Sequence, residues 1–145
     1  MNILKSKYHG SKWNDIDVTP LLVKDLWASV PKADIHKGKE FFKPVMEDIK
    51  NNGLNFPLLV VHSTYAQLLE QKKRYGNKML DLPFESDTKE LDKKLYVVWG
   101  GSNRWHVAND LGYDYVDCAV FHNGEFNKAR SMQRIHRKPY TKQFY

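Results

Sequence analysis

Three short apolar segments of the chain have the length and composition of buried β-strands. They are Phe56–His62, Leu95–Trp99 and Tyr115–Phe121. The first two are rich in branched side chains, which favour a pleated, buried surface. In the third, Val116, Cys118 and Val120 alternate with the other residues, and we therefore expect them on one side of the strand. Together the three segments predict a small sheet.

Apolar residues recur at helical spacing in parts of the chain between these strands. One predicted helix presents a face made of Phe42, Val45, Met46 and Ile49. Gly53 follows it and suits the left-handed conformation in which many helices end. Another helix is predicted to begin after Thr64, because Gln67 lies three residues later and the pair has the pattern of a capping box.

A further helix is predicted near the N-terminus. Thr19 offers a hydroxyl cap, and Pro20 suits the first helical position. Apolar residues then recur at Leu22, Leu26 and Val30. The polar segment Ala33–Glu40 has no such spacing and is predicted to be a loop. The segment Asn77–Lys94 contains a proline and five acidic residues, and we interpret it as an insertion at the surface.

Charge is distributed unevenly along the chain. Its 145 residues include 23 Lys and Arg and 17 Asp and Glu, which gives a net charge of +6. Residues 121–145 carry +5 of this charge and include aromatic residues. The basic residues there are Lys128, Arg130, Arg134, Arg137, Lys138 and Lys142. Such a segment is suited to nucleic acid. The alternatives are a solvated tail, or one that packs on its own domain or on a partner subunit.

No apolar segment approaches the roughly 20 residues that a membrane-spanning helix requires. The N-terminal residues also lack the apolar core of a secretion signal. A single cysteine, Cys118, excludes an internal disulfide and an all-cysteine zinc site. From these observations we expect a cytoplasmic protein that makes no contact with a membrane.

The segment from Gly100 to Arg104 has the most informative chemistry in the sequence. It follows the second predicted strand and opens a helix. That helix has Trp105, Ala108 and Leu111 on one face and Gly112 at its end. The two glycines allow a tight turn that approaches a ligand closely, and Ser102 is expected to cap the helix. The first amides of a helix attract anions, above all phosphate. The alternative is that the glycines serve only the geometry of the turn.

Two stretches of the chain, Asn51–Val61 and Leu95–Phe121, together resemble the ParB/sulfiredoxin superfamily. In partition proteins of this superfamily a helix ends in Gly-Leu, and a nearby proline opens a strand. Gly53, Leu54 and Pro57 match this pattern. In the same proteins a later strand leads into a Gly-Glu-Arg-Arg box, which corresponds to residues 101–104 of this chain. Sulfiredoxins have Gly-Gly-Cys-His-Arg at this place, and Gly100, Gly101 and Arg104 match three of its five positions. The resemblance covers residues 42–121 except for the insertion.

The resemblance implies a single α/β (α+β) domain over residues 1–121, with a small mixed sheet packed by helices. Residues 77–94 would be an insertion, and residues 122–145 a basic C-terminal extension. The resemblance also implies that ATP or CTP, with Mg²⁺, binds through its phosphates. The residues carried over for this role are Gly100, Gly101, Ser102, Asn103 and Arg104.

The implied activity is hydrolysis of a nucleoside triphosphate or transfer of its phosphate. Ser102 stands where sulfiredoxins have their reactive cysteine, so we expect no sulfinic acid reduction. Cys118 is expected to face the core and does not replace that cysteine. Glu40 is the candidate catalytic carboxylate, since kinase-like relatives use a carboxylate from this half of the chain. The alternative is that Glu40 is an exposed loop residue.

The six histidines show no spacing typical of metal ligands, so we expect no metal site built by the protein. His106, on the helix after the glycines, is predicted to lie at the surface. The first functional hypothesis is a ParB-like nucleotide-binding protein in a DNA-linked phage or plasmid process, in a bacterial or phage-infected cell. The alternatives are a non-catalytic module that binds DNA through the basic tail, and a small accessory factor that binds another protein. A homodimer is also considered.

Overall fold

The computed structural model describes residues 2–28, 39–75 and 91–137, and it describes side chains over residues 2–28, 43–74 and 91–132. The strands are β1 (Ile3–Leu4), β2 (Lys12–Trp13), β3 (Ile16–Leu22), β4 (Leu26–Ala28), β5 (Leu58–Thr64), β6 (Lys94–Gly100) and β7 (Tyr115–Phe121). The α-helices are α1 (Lys39–Asn52), α2 (Tyr65–Tyr75), α3 (Ser102–Asp110) and α4 (Phe126–Arg137). None of the described helices is long and apolar enough to cross a bilayer.

Within the described residues, the seven strands form one mixed sheet. Its order is β2-β3-β7-β5-β6-β4, and β1 pairs with the first residues of β7. Strand β7 is parallel to β5 and antiparallel to β3, whereas β5 is antiparallel to β6. The three apolar segments predicted as strands are β5, β6 and β7, each within two residues of its predicted bounds. The fold is therefore the predicted small mixed sheet packed by helices.

Both faces of the sheet are buried by helices. Alternate residues of its central strands point to opposite faces. On the first face, Val60, Val98 and Cys118 pack against helices α1 and α3. On the second face, Leu59, Val97 and Ala119 pack against helices α2 and α4. Val116, Cys118 and Val120 share the first face, as their alternation predicted.

The N-terminal helix predicted from Thr19 and Pro20 is wrong, since both residues lie in β3. Pro20 is tolerated there because of where its nitrogen points. The N–H of Val18 donates to the carbonyl of Ser11, on the side of β3 away from β7. The nitrogen of Pro20, two residues later, points to the same side. The pairing of β3 with β2 has already ended at Asp17, so no described strand lies opposite Pro20 on that side. No hydrogen bond between strands is lost, as is usual for proline at a sheet edge.

The residues Leu22 and Leu26, which suggested a helical face, lie at the end of β3 and the start of β4. The short 3₁₀ turn Val23–Asp25 separates them. Their spacing of four residues therefore reflects two strands joined by a tight connection. Val30 lies outside the described residues.

Helix α1 begins at Lys39, so Glu40 belongs to the helix and not to the predicted loop. Residues 29–38, which include most of that loop, lie outside the described part. Val45 and Ile49 are buried on the predicted helical face. Gly53 ends the helix with a φ of 73°, which confirms the predicted left-handed position.

Helix α2 begins with the predicted capping box. The N–H of Thr64 donates to Gln67 Oε1 at 2.9 Å, and the N–H of Gln67 donates to Thr64 Oγ1 at 3.2 Å. The next two amides, of residues 65 and 66, donate to the carbonyls of Lys93 and Leu91. The end of the predicted insertion is thus part of the fold, and residues 77–90 lie outside the described residues.

Candidate anion-binding site

The turn between β6 and α3 is built around Gly101. Strand β6 ends at Gly100, which pairs with Leu59 of β5. Gly101 has φ 113° and ψ 28° and occupies the N-cap position of α3. Its carbonyl accepts the N–H of Trp105 at 2.9 Å. Ser102 is the first helical residue, so the prediction that Ser102 caps this helix is wrong. The left-handed conformation of Gly101 places the cap one residue earlier.

The side chain of Arg104 lies beneath this turn and is fully buried. Its Nη1 donates to the carbonyl of Phe56 at 2.7 Å. Its Nη2 donates to the carbonyls of Pro57 and Gly100, both at 3.4 Å. The guanidinium group therefore links the start of α3 to the end of β6 and to the segment that precedes β5.

Gly101 packs directly on this guanidinium group. A Cβ atom at position 101 would lie 2.6 Å from Arg104 Nη2 and 3.0 Å from Arg104 Nε. Glycine is needed here both for its positive φ and for the space that a side chain would occupy. The turn and the buried cation consequently form one packed unit.

Burial lowers the pKa of Arg104 to about 10, because a charged group is poorly solvated in the protein interior. Arg104 still carries its positive charge at neutral pH. Burial, followed by the charge of Asp117, raises the pKa of the Cys118 thiol. Cys118 is a buried thiol on the first face of the sheet, as predicted, and lacks the lowered pKa of a reactive cysteine.

The five residues predicted to hold phosphate are brought together at this turn, but they differ in exposure. Asn103 is partly exposed, whereas Gly100, Gly101, Ser102 and Arg104 are buried. Contacts from the surface can therefore reach the side chain of Asn103 most directly. The guanidinium group of Arg104 lies below the turn and can contribute its charge without itself standing at the surface.

Helix α3 is anchored at the turn by aromatic residues. Trp105 Nε1 donates to the carbonyl of Val23 at 2.9 Å, which fixes the helix against the 3₁₀ turn. The ring of His106 packs edge to face on Trp105, with 4.8 Å between the ring centroids. His106 is buried, so its predicted surface position is wrong. Gly112, with a φ of 78°, follows the helix as predicted.

Glu40 lies in the first turn of α1, and its side chain is outside the described part. Helices α1 and α3 share one core, in which Val45 and Ile49 of α1 pack with Val107 and Ala108 of α3. The helix that carries the candidate carboxylate thus lies beside the helix that carries the turn.

The first half of the basic extension is helix α4, which packs on the second face of the sheet. Phe126 and Ala129 are buried there. Arg130 lies over the ring of Trp99, 5.2 Å from its centroid, whereas Lys128 is exposed. Arg134 and Arg137 lie in α4, but their side chains are outside the described part. Lys138 and Lys142 lie outside it entirely.

Sequence reasoning missed a buried carboxylate network on β7. Asp117 is fully buried and accepts the N–H of Ser6 at 2.7 Å and the hydroxyl of Ser6 at 3.2 Å. His9 Nδ1 lies 2.9 Å from Asp117 Oδ1. A single charged residue in an otherwise apolar strand was the available signal, because a buried carboxylate requires hydrogen-bond donors. Among the described residues, no cluster of three or more His, Cys, Asp or Glu side chains could hold a metal ion.

Comparison with known proteins gives a likeness of fold. No family model matches the chain, and no curated protein matches it. Among solved structures, the chain is similar to sulfiredoxin from Arabidopsis thaliana, with 15% sequence identity and a TM-score of 0.42. The match covers 83% of this chain and 96% of the sulfiredoxin. The match says nothing about activity.

Proposed function

We propose that the chain binds a nucleoside triphosphate, ATP or CTP with its Mg²⁺, through the phosphates at the Gly100–Arg104 turn. The observation that carries this proposal is the packing of Gly101 on the buried guanidinium group of Arg104 at the N-terminus of α3. Two sources of positive potential coincide there, the helix N-terminus and a buried cation.

The first source is the backbone of α3. The first helical hydrogen bond runs from the N–H of Trp105 to the carbonyl of Gly101. The amides of residues 102, 103 and 104 come before it, in the first turn of the helix. Such amides, together with the helix dipole, favour an anion. The N-cap residue is glycine, so its own position supplies no side-chain cap.

The second source is Arg104, which acts in this proposal as a positioning residue. Its partners at the turn are carbonyl oxygens, whose dipoles stabilise a cation without cancelling its charge. It holds the turn in place and adds positive potential below it. In this proposal Asn103, which is partly exposed, donates to a phosphate oxygen through its side-chain amide.

The binding test compares ligands that differ in their phosphates. ATP, CTP and inorganic triphosphate, each with Mg²⁺, should raise the melting temperature, whereas adenosine and cytidine should not. Calorimetric titration then measures each affinity, and an assay for released phosphate on any binding nucleotide tests turnover. The absence of binding at millimolar concentration, or equal stabilisation by adenosine and ATP, would reject the proposal.

A matched pair of variants tests the location. Asn103→Asp places a negative charge in the first turn of α3 and should weaken ATP binding by at least about tenfold through repulsion of the phosphates. The free protein should gain about 0.3–1 kcal/mol of stability, since an acidic residue suits a helix N-terminus. Asn109→Asp makes the same change in the exposed last turn of α3 and should leave ATP affinity unchanged. Equal affinities in the two variants would place the ligand elsewhere.

A further inference from the structure

A second candidate site lies in a cleft of about 380 Å³ beside strands β3, β6 and β7. Its floor includes Leu21, Tyr96 and Val120, which pack partly buried against the core of the first face. The cleft lies near Tyr96, toward the start of β6, whereas the Gly100–Arg104 turn follows the end of that strand. It is separate in sequence and in lining residues from the proposed phosphate site, and its argument does not rest on that site.

Charged side chains surround this floor. The lining includes three carboxylates, from Asp15, Asp17 and Glu125, and one ammonium group, from Lys128. None of the four makes an ion pair with another described residue. Among the lining side chains, carboxylates outnumber ammonium groups by three to one, although the whole chain carries +6. Two further lysines lie next to this lining: Lys12 is opposite Asp17 across the β2–β3 pair, and Lys94 is close enough to His62 to lower its pKa. A cleft with these groups attracts positive charge although the protein is basic.

One of these carboxylates lies in the β2–β3 turn, and a second follows it in β3. Trp13 pairs with Ile16 across the β2–β3 hairpin, which leaves a two-residue connection. Both of its residues, Asn14 and Asp15, have positive φ, at 50° and 64°. These angles are typical of the type I′ turn that matches the twist of a hairpin. The position of Asp15, and of Asp17 just beyond, is therefore set by the turn.

Aromatic rings form a wall next to the floor. The ring of His62 stacks on Tyr96, with centroids 4.3 Å apart and planes inclined by 8°. His122, which lines the cleft, packs edge to face against His62 at 6.1 Å. The pKa of His62 is lowered by burial and then by Lys94 and His122, which disfavours the protonated form of this ring. A flat aromatic surface next to carboxylates suits the apolar body of a cationic ligand.

The far wall is held by the loop between β7 and α4. Gly124 has a φ of 69°, and its N–H donates to the carbonyl of His62 at 3.1 Å. Gln67 of the α2 capping box donates to the carbonyl of Asn123 at 3.4 Å. These contacts hold the loop that carries His122 and Glu125 against β5 and α2.

We propose that this cleft binds a small organic cation, an amine or guanidinium group on an apolar body. The carboxylates of Asp15, Asp17 and Glu125 would hold the positive group. Leu21, Val120 and the ring of Tyr96 would hold the apolar body.

The test uses two probes of similar size and opposite charge. Tyramine carries an ammonium group on a two-carbon chain attached to a phenol ring, and 3-(4-hydroxyphenyl)propionate carries a carboxylate on the same chain and ring. We expect tyramine to bind in calorimetric or NMR titration at pH 7.5 and to shift the amide signals of residues 15–19, 21 and 120–125. The anionic probe should bind at least about tenfold more weakly, as like charges repel it.

Variants distinguish this cleft from general attraction of cations. The double variant Asp15→Asn/Asp17→Asn keeps the size of both side chains, and asparagine tolerates the positive φ at position 15. It should raise the Kd of tyramine by about three- to tenfold. The control Glu47→Gln removes one exposed carboxylate of α1 and should leave the Kd unchanged. Circular dichroism checks that each variant is folded.

Three results would overturn the proposal. The first is the absence of tyramine binding up to about 20 mM, a concentration at which even weak charge-assisted contacts are measurable. The second is equal affinity for the two probes. The third is an unchanged Kd in the double variant.

Discussion

The two candidate sites of this protein are built in opposite ways. At the Gly100–Arg104 turn, four of five residues are buried, and positive potential comes from backbone amides and a cation under the surface. In the cleft beside Tyr96, the charged groups are exposed side chains from the β2–β3 hairpin and from the region where α4 begins, and three of the four are negative. The comparison shows that the buried groups of a site also stabilise the fold, whereas the exposed groups of a site contribute little to stability. Substitutions at the four buried residues of the turn should therefore cost stability, and substitutions at the exposed charged residues of the cleft should not.

The largest expected effect concerns Arg104. Arg104→Ala removes a fully buried side chain and leaves the carbonyls of Phe56 and Pro57 without this donor. The free energy of unfolding should fall by about 3–5 kcal/mol, from the cavity and the lost hydrogen bonds. Urea denaturation measures this change. Arg104→Lys, which keeps a cation and some of the donors, should lose less. A loss below about 1 kcal/mol in the alanine variant would show that the turn does not depend on Arg104.

A smaller effect is expected at the glycines that flank α3. Gly101→Ala and Gly112→Ala both place a side chain at positive φ, which costs about 1 kcal/mol or more. At Gly101 the new Cβ also meets the guanidinium group of Arg104, whereas nothing lies within 4 Å of the Cβ position at Gly112. Gly101→Ala should therefore be the more destabilising by about 1–3 kcal/mol. Equal losses in urea denaturation would argue against tight packing at the turn.

The smallest effect is a pH dependence at the cleft. The pKa of His62 lies below the ordinary value of 6.5, so the unfolded chain binds a proton at His62 more readily than the folded protein does. Its contribution to stability is therefore present above pH 6.5 and lost as the pH falls through the folded pKa. In His62→Gln, the fall in unfolding free energy between pH 7 and pH 5 should be shallower than in the parent. Parallel pH profiles would contradict this prediction.

The parts of the fold that the sequence predicted are those that local pattern determines. Strands β5, β6 and β7 are central and buried on both faces, so they appear as apolar runs. The capping box of Thr64 and Gln67 is a local pattern, and so is the glycine after each of two helices. The segment around Pro20 has the pattern of a helix start but forms a strand. Proline fits in this strand because the neighbouring strand ends before it, and the pairing of strands cannot be read from local sequence.

The same distinction applies to the sites. The turn was predicted because its five residues are consecutive. The buried position of Arg104 was not, because it depends on the carbonyls of Phe56 and Pro57, almost 50 residues away in the sequence. The cleft combines residues near positions 17, 96 and 122, which only the order of the sheet brings together. The contact between His9 and Asp117 has the same origin, since 108 positions separate the two residues.

Cys118, in the middle of the sheet, also determines how this protein can be labelled. It is the only cysteine of the chain, it is fully buried, and its thiol resists ionisation. Maleimide reagents, which attack thiolates, should leave the folded parent protein unmodified. A cysteine introduced at Asn103 or Asp17 would then carry a fluorophore at one position only, so that each candidate site can be observed separately without removal of the native thiol.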